Sequence, residues 1–251
     1  MKNLRNAKLP VILAVLIILF SVRVTGTEEG QQAAGQKTIQ LPPPRFEGPI
    51  SVEKALSQRQ SVRSYLKQPL TLQEVSQLIW AAQGITRKTE KLPGMWNPKY
   101  EWQGGYRTAP SAGALYPLEL YLVAGSVDLL EKGVYKYLPK THSLIKVIDG
   151  DRRTEIFNAA LRQPSIQEAA ALIVLTAVYE RTSYKYGERA PRYVHMEAGA
   201  AAENVYLQAV SLGIGTVLIG AFQDEDLKKV LNSPADESPL IILPLGKIEK
   251  K

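Results

Sequence analysis

The chain has 251 residues, 45% apolar and 22% charged, with no cysteine and only two histidines, His142 and His195. This composition suits a globular fold and excludes disulfide frameworks, thiolate metal sites, cysteine-ligated iron–sulfur clusters and a cysteine nucleophile. Much of the formal charge of +7 belongs to Lys2, Arg5, Lys8 and Arg23; the rest of the chain holds 27 basic and 24 acidic residues and no basic stripe with interleaved aromatics, so nucleic-acid binding is not expected.

Residues 9–22 run uncharged behind three cations. A basic start and a short apolar run fit a secretory signal peptide, and a spanning helix usually needs about 17–25 apolar residues. Residues 1–26 therefore read as a signal peptide or, uncleaved, as an N-terminal membrane anchor. Either way the domain is expected outside the cytoplasm, in the periplasm or beyond, or on the outer side of the cytoplasmic membrane. Residues 27–45 are polar and end in Pro42, Pro43 and Pro44, which reads as a flexible, Pro-containing linker. Residues 46–251 can enclose one substantial core.

Residues 50–58 predict a short amphipathic helix. Thr71 and Glu74 make a capping box before Leu72, Val75, Leu78, Ile79 and Ala82, with Gly84 as the stop. Residues 87–105 read as a long loop containing Trp96, Tyr100 and Trp102. Loops of that length are often functional lids, so it is expected to cover the substrate pocket. Leu118–Ala124 reads as a buried strand, and 133–138 with 143–148 as a hairpin whose turn exposes His142. Residues 151–161 predict a helix and 171–179 a central strand. Residues 194–212 predict the longest helix, with His195 satisfied inside it and Gly213 as its stop. A strand at 216–219, a helix at 224–231 and a strand at 240–245 close the chain. Irregular alternation with one hairpin predicts an α+β fold, a mostly antiparallel central sheet flanked by helices.

Four segments could carry chemistry. Arg59, Ser61 and Arg63 place two guanidinium forks and a hydroxyl within five residues, suited to phosphate or ring-edge recognition. Residues 107–117 (RTAPSAGALYP) form a small-residue loop that lets backbone approach a flat ligand; without a G-x-S-x-G, Ser111 is not a nucleophile elbow. Residues 213–222 (GIGTVLIGAF) combine a helix stop, a strand and a small turn, without a G-x-G-x-x-G fingerprint. Residues 184–193 (YKYGERAPRY) read as a loop with three tyrosines and three cations. Within it Lys185 and Tyr186 could act as an acid–base pair, because a nearby ammonium favours a phenolate.

In this order and spacing the four segments resemble the nitroreductase-like flavin family, and within it the SagB/ThcOx group that includes peptide azoline dehydrogenases, over residues 50–247. The resemblance implies an FMN-binding homodimer with the flavin at the subunit interface. Arg59, Ser61 and Arg63 match the motif for the FMN phosphate, ribityl chain and pyrimidine edge. Ser111, Ala112 and Gly113 match the loop beside the flavin ring, and Gly220 and Ala221 the turn near its reactive N5. Lys247 stands where relatives supply a phosphate-binding cation. Lys185 and Tyr186 match a pair implicated in proton removal. The implied activity is ping-pong electron transfer from a reductant such as NAD(P)H to a nitroaromatic, quinone or similar acceptor. Two alternatives stay open: oxidation of a modified peptide with oxygen as acceptor, and a non-catalytic flavin- or ligand-binding module.

Overall fold

A computed structural model describes residues 38–90, 98–101 and 103–249. The apolar segment 9–22, the first part of the linker, Trp96 and Trp102 lie outside the described residues. Among the described residues no helix is long and apolar enough to cross a membrane.

Strands run β1 (Thr38–Gln40), β2 (Ile85–Lys88), β3 (Gly105–Arg107), β4 (Leu118–Ala124), β5 (Gly133–Leu138), β6 (Ser143–Asp149), β7 (Ala171–Val178), β8 (Ile214–Thr216) and β9 (Glu237–Lys247). Helices are α1 (Val52–Gln58), α2 (Leu72–Gln83), α3 (Arg153–Ala159), α4 (Pro164–Glu168), α5 (Tyr179–Tyr186), α6 (Ala190–Leu212) and α7 (Asp224–Leu231). Seven strands form one sheet in the order β1-β6-β5-β4-β7-β9-β8, antiparallel at every pairing, and β2 and β3 form a separate ribbon.

The central strands are apolar on both faces because helices cover both. Leu120 and Leu122 of β4, with Ile173 and Leu175 of β7, join the core under α2 and α6. Tyr121, Val123, Leu172 and Val174 face the other core, with Ile156 of α3 and Leu227 of α7. Continuous apolar sequence at 171–178 follows from this burial. Each fully buried Leu, Ile or Val contributes about 1.5–3 kcal/mol.

Local signals fix several ends. The Thr71 side chain accepts from the Glu74 N–H, and Glu74 returns the bond to the Thr71 N–H. α6 stops at Gly213, whose φ of +66° is the left-handed conformation that suits glycine. It starts four residues earlier than the sequence pattern suggests, because Pro191 in its first turn needs no N–H partner.

Five expectations change, the first being the strand read at 216–219, which lies at Ile214–Thr216 with only an isolated bridge at Ile219. Residues 38–45, read as linker, belong in part to the body: β1 pairs with β6, and Leu41 is buried. His142 is not exposed, because this segment covers its turn. The ring bonds Tyr137 Oη and Ser76 Oγ, each at 2.8 Å, and Pro42 O at 3.0 Å. Burial holds its pKa below the ordinary histidine value. The supposed loop at 87–105 begins and ends in the β2–β3 ribbon. Residues 184–186 lie in helix α5 rather than in a loop.

A polar knot lies inside the sheet. Glu237 of β9 is 2% exposed and accepts from Tyr121 Oη at 2.8 Å and Thr176 Oγ1 at 2.9 Å, while Lys136 bridges it to Glu119. Burial pushes the Glu119 carboxyl up, but Lys136 and Arg181 hold it below its ordinary value. Removing one member strands the others, so Glu237→Ala should cost about 3 kcal/mol, read as a lowered urea midpoint with an unchanged slope.

Candidate active site

The first cluster forms where the chain leaves α1. Arg59 turns the backbone from helix to extended conformation. Val62 N–H then donates to Thr216 O at 2.8 Å, and Leu66 N–H to Lys247 O at 2.9 Å, which pins the segment along β8 and the end of β9. Tyr206 of α6 ties this segment to the 218–221 turn. Its hydroxyl lies 3.3 Å from Ser61 Oγ and accepts the Leu218 N–H at 2.7 Å. The Arg59 guanidinium stands over its ring, 5.2 Å from the centroid. Arg63 is exposed. Gly220 and Ala221 follow on the surface, and a Cβ at Gly220 would meet nothing within 4 Å. Thr216 Oγ1 is buried without a partner and lines, with Tyr206, Val62 and Gln60, a cavity of about 510 Å³.

The second cluster centres on Ser111, Ala112 and Gly113. Ser111 Oγ accepts the Tyr116 N–H at 2.9 Å, closing the loop on itself. Gly113, Ala114 and Tyr116 have φ of +63°, +53° and +46°. Left-handed backbone at Ala and Tyr is strained, and such strain persists only where surrounding contacts impose it. One contact is the Arg107 guanidinium over the Tyr116 ring at 5.1 Å; another is Arg181 Nη1, which donates to Tyr116 O at 3.0 Å. The loop lies against Lys185 and Tyr186: a Cβ on Gly113 would stand 3.0 Å from Tyr186 Oη and 3.3 Å from Lys185 Nζ. Only glycine fits that gap without displacing the pair. The Tyr186 ring in turn packs edge-on against Tyr193, centroids 4.8 Å apart.

Both clusters use α6, and that helix keeps them apart. Glu197 borders the Ser111 loop and Tyr206 the Arg59–Ser61 segment. Nine residues separate them, a rise of roughly 13.5 Å and half a turn of rotation. They mark opposite borders of the buried stripe of α6. Within one chain, Arg59, Ser61, Tyr206 and the Leu218 backbone form one group, and Ser111, Gly113, Lys185 and Tyr186 another.

Lys247 joins neither. Its ammonium is bound by Glu74 of the α2 capping box, and Lys247 with Thr71 holds the Glu74 carboxyl below its ordinary value against the upward push of burial. His195 hydrogen-bonds Tyr179 Oη at 2.6 Å, as a satisfied helix histidine. Sequence reasoning missed Tyr206 and Glu197. Tyr206 occupies a core-periodic helix position, and Glu197 looks like an ordinary polar residue of a helix.

The family model described as the nitroreductase family matches residues 56–247. The chain belongs to the nitroreductase family. It is a nitroreductase-family oxidoreductase with the open, mostly antiparallel sheet of that fold. A Methanocaldococcus jannaschii protein provisionally named a nitroreductase is 43% identical over 198 residues, 79% of this chain and 91% of the relative. A Ralstonia eutropha crystal structure, also provisionally named a nitroreductase, superposes with a TM-score of 0.70 at 28% identity, covering 86% of this chain and 91% of that one. The microcin B17-processing protein McbC of Escherichia coli is 26% identical over 149 residues. This covers 57% of the chain and 54% of McbC. The chain thus spans about half the length of McbC.

Tyr206→Phe tests the first cluster. It removes the acceptor of the Leu218 N–H and the partner of Ser61, which should cost about 1–3 kcal/mol. The expected result is a lower denaturation midpoint, with proteolysis opening first at the 218–221 turn.

Proposed function

We propose that the protein is an FMN-dependent oxidoreductase that passes electrons from a reductant to a small organic acceptor in two alternating half-reactions. The observation that carries this reading is the Tyr206 junction. It ties the Arg59–Ser61 segment, with its guanidinium and hydroxyl, to the Leu218 backbone, two residues before the open backbone of Gly220 and Ala221. Those residues fit the flavin: Thr216 Oγ1 is buried without a partner, and the space beside Gly220 is free.

When bound, FMN supplies hydride and electron transfer, which no side chain of this composition can. Arg59 and Ser61 would hold the phosphate and ribityl groups, and Arg63 the pyrimidine edge, where a cation stabilises negative charge on the reduced ring. Ser111, Ala112 and Gly113 would flank the ring. Their separation from the Arg59 cluster on α6 supports a homodimer in which one copy supplies each group, a self-complementary arrangement under two-fold symmetry. The basic, apolar N-terminus supports export or an outer-face anchor. There a membrane quinol, oxidised to the quinone as it loads the flavin, is a more available reductant than NAD(P)H, which is scarce outside the cytoplasm.

A second reading, oxidation of a modified peptide with oxygen as acceptor, is favoured by one contact. Gly113 lies directly on Lys185 and Tyr186, which could remove and hold a substrate proton. The similarity to McbC supports it.

The test is the visible spectrum of the purified protein. A flavin spectrum with FMN released on denaturation is expected, and a colourless protein that takes up no added FMN contradicts the proposal. Arg63→Ala should retain the fold and lower the flavin reduction potential; an unchanged potential removes its assigned role. Lys185→Ala and Tyr186→Phe separate the two readings. Peptide oxidation should vanish in both while flavin stays bound, and full activity in both discards the second reading.

A further inference from the structure

Tyr116 is held at three points. It is 3% exposed, with a φ of +46° that L side chains rarely adopt. Its N–H donates to Ser111 Oγ at 2.9 Å and its carbonyl accepts from Arg181 Nη1 at 3.0 Å. Its ring lies under the Arg107 guanidinium, 5.1 Å from the centroid. Each arginine also grips the end of the connection after β2. Arg107 Nη2 donates to the Gln103 carbonyl at 3.3 Å and to Gln103 Oε1 at 3.2 Å. The Arg181 guanidinium stands 5.2 Å from the Tyr100 ring centroid. Each is anchored from behind as well. Arg107 Nη1 donates at 2.9 Å to the carbonyl of Gln83, the last residue of α2, and Arg181 Nη2 pairs with Glu119 of β4 at 2.5 Å. Glu119 is tied in turn through Lys136 to the buried Glu237.

We infer that Arg107 and Arg181 are positioning residues that join Tyr100 and Gln103 of the connection to the Ser111–Tyr116 loop, so that the docking of the connection sets how the loop sits on Lys185 and Tyr186. A guanidinium is a planar, rigid fork, so one partner cannot shift without turning the edge or face offered to the others. The two forks come from different elements, β3 and α5, yet both converge on Tyr116 and both reach the connection. The loop needs such a grip, because left-handed backbone at Ala114 and Tyr116 relaxes unless its surroundings impose it. Gly113 travels with the loop, and it sits so close to Tyr186 Oη that a Cβ would stand 3.0 Å away. A relaxed loop leaves that seat. Lys185 lies one turn beyond Arg181 on the same side of α5, so one arginine places both the loop and the helix turn it meets. The connection thus acts on substrate specificity through Tyr116, without touching the reacting atoms.

The inference rests on the proposed function for the loop's place beside the flavin, but its test needs no flavin. Hydrogen exchange of the amides at 112–116 is followed in the full chain, with the amides of β7 as the measure of global stability. Tyr100→Leu takes the ring from Arg181, so loop protection should fall about threefold, the worth of one cation–π contact, with β7 unchanged. Tyr100→Phe keeps the ring and loses only the hydroxyl bond to Glu180, so it should keep wild-type protection. Arg181→Lys leaves a charge beside Glu119 that cannot also span Tyr116 O and the Tyr100 ring. It should lower loop protection about tenfold, the size of one lost bond to a charged group. Adding Tyr100→Leu to it should lower protection no further, because the contact is already gone. Wild-type loop protection in Tyr100→Leu overturns the proposal, as do additive losses in the double variant. Should Arg181→Lys weaken β7 as well, the same cycle is run with Gln103→Ala and Arg107→Lys, where additivity again overturns it. A colourless protein that shows the non-additive pattern refutes the proposed function and leaves the coupling standing. A flavoprotein whose loop ignores Tyr100→Leu does the reverse.

Discussion

Helix α6 is the constraint on which the rest depends. Its apolar stripe, from Val194 and Ala198 through Ala201, Ala202 and Val205 to Ala209, is buried against the sheet and α2. Small side chains allow close approach, so the helix cannot rotate without losing that burial. Two polar residues stand at the borders of the stripe. Tyr206 reaches one side, to the Arg59–Ser61 segment and the 218–221 turn. Glu197 reaches the other, to the Ser111 loop. Hydrophobic packing along one helix thus sets the place of both clusters, and the half-turn between the two residues sets their separation.

Arg181 does similar work for the second cluster. It pairs with Glu119 at 2.5 Å, donates to Tyr116 O and stands 5.2 Å from the Tyr100 ring centroid. Tyr100 Oη also donates to Glu180 at 2.9 Å, and Lys99 pairs with Glu180 at 2.7 Å. One turn of α5 therefore collects the sheet, the Ser111 loop and the end of the long connection after β2. Lys185 follows Arg181 by four residues, on the same side of the helix. Residues 98–101 lie beside this turn. The Lys99–Glu180 pair is largely exposed, where solvent screens its attraction.

Much of the architecture was legible in the sequence, wherever a local signal agreed with packing. The Thr71–Glu74 box, the β4 run, the β5–β6 hairpin and α7 emerged as read. The misses have physical causes. β1 is three residues before a proline run, and only its pairing with β6 makes it a strand. α5 follows β7 with no turn residue between them, and its tyrosines and charges resemble a loop because half of it faces solvent. β2 and β3 lack apolar alternation because their ribbon stands outside the main sheet. At the site, motif spacing identified both clusters but could not show that they lie on opposite borders of α6. Lys247 matched a family position, and its ammonium here pairs with the Glu74 carboxylate of the capping box. Glu197 carried no sequence signal, since only burial distinguishes it from a solvated helix glutamate.

The central claim is that the two clusters act together across two chains. It is tested most directly by mixing two variants that each lose flavin. One chain carries Arg59→Ala with Arg63→Ala, and its partner carries Gly113→Val, which drives a side chain into Lys185 and Tyr186. Each variant alone should purify colourless. The doubly tagged heterodimer should recover half the wild-type flavin content, because two-fold symmetry leaves one of its two sites intact. A heterodimer as colourless as its parents would contradict the account and place both clusters in a site built within a single chain.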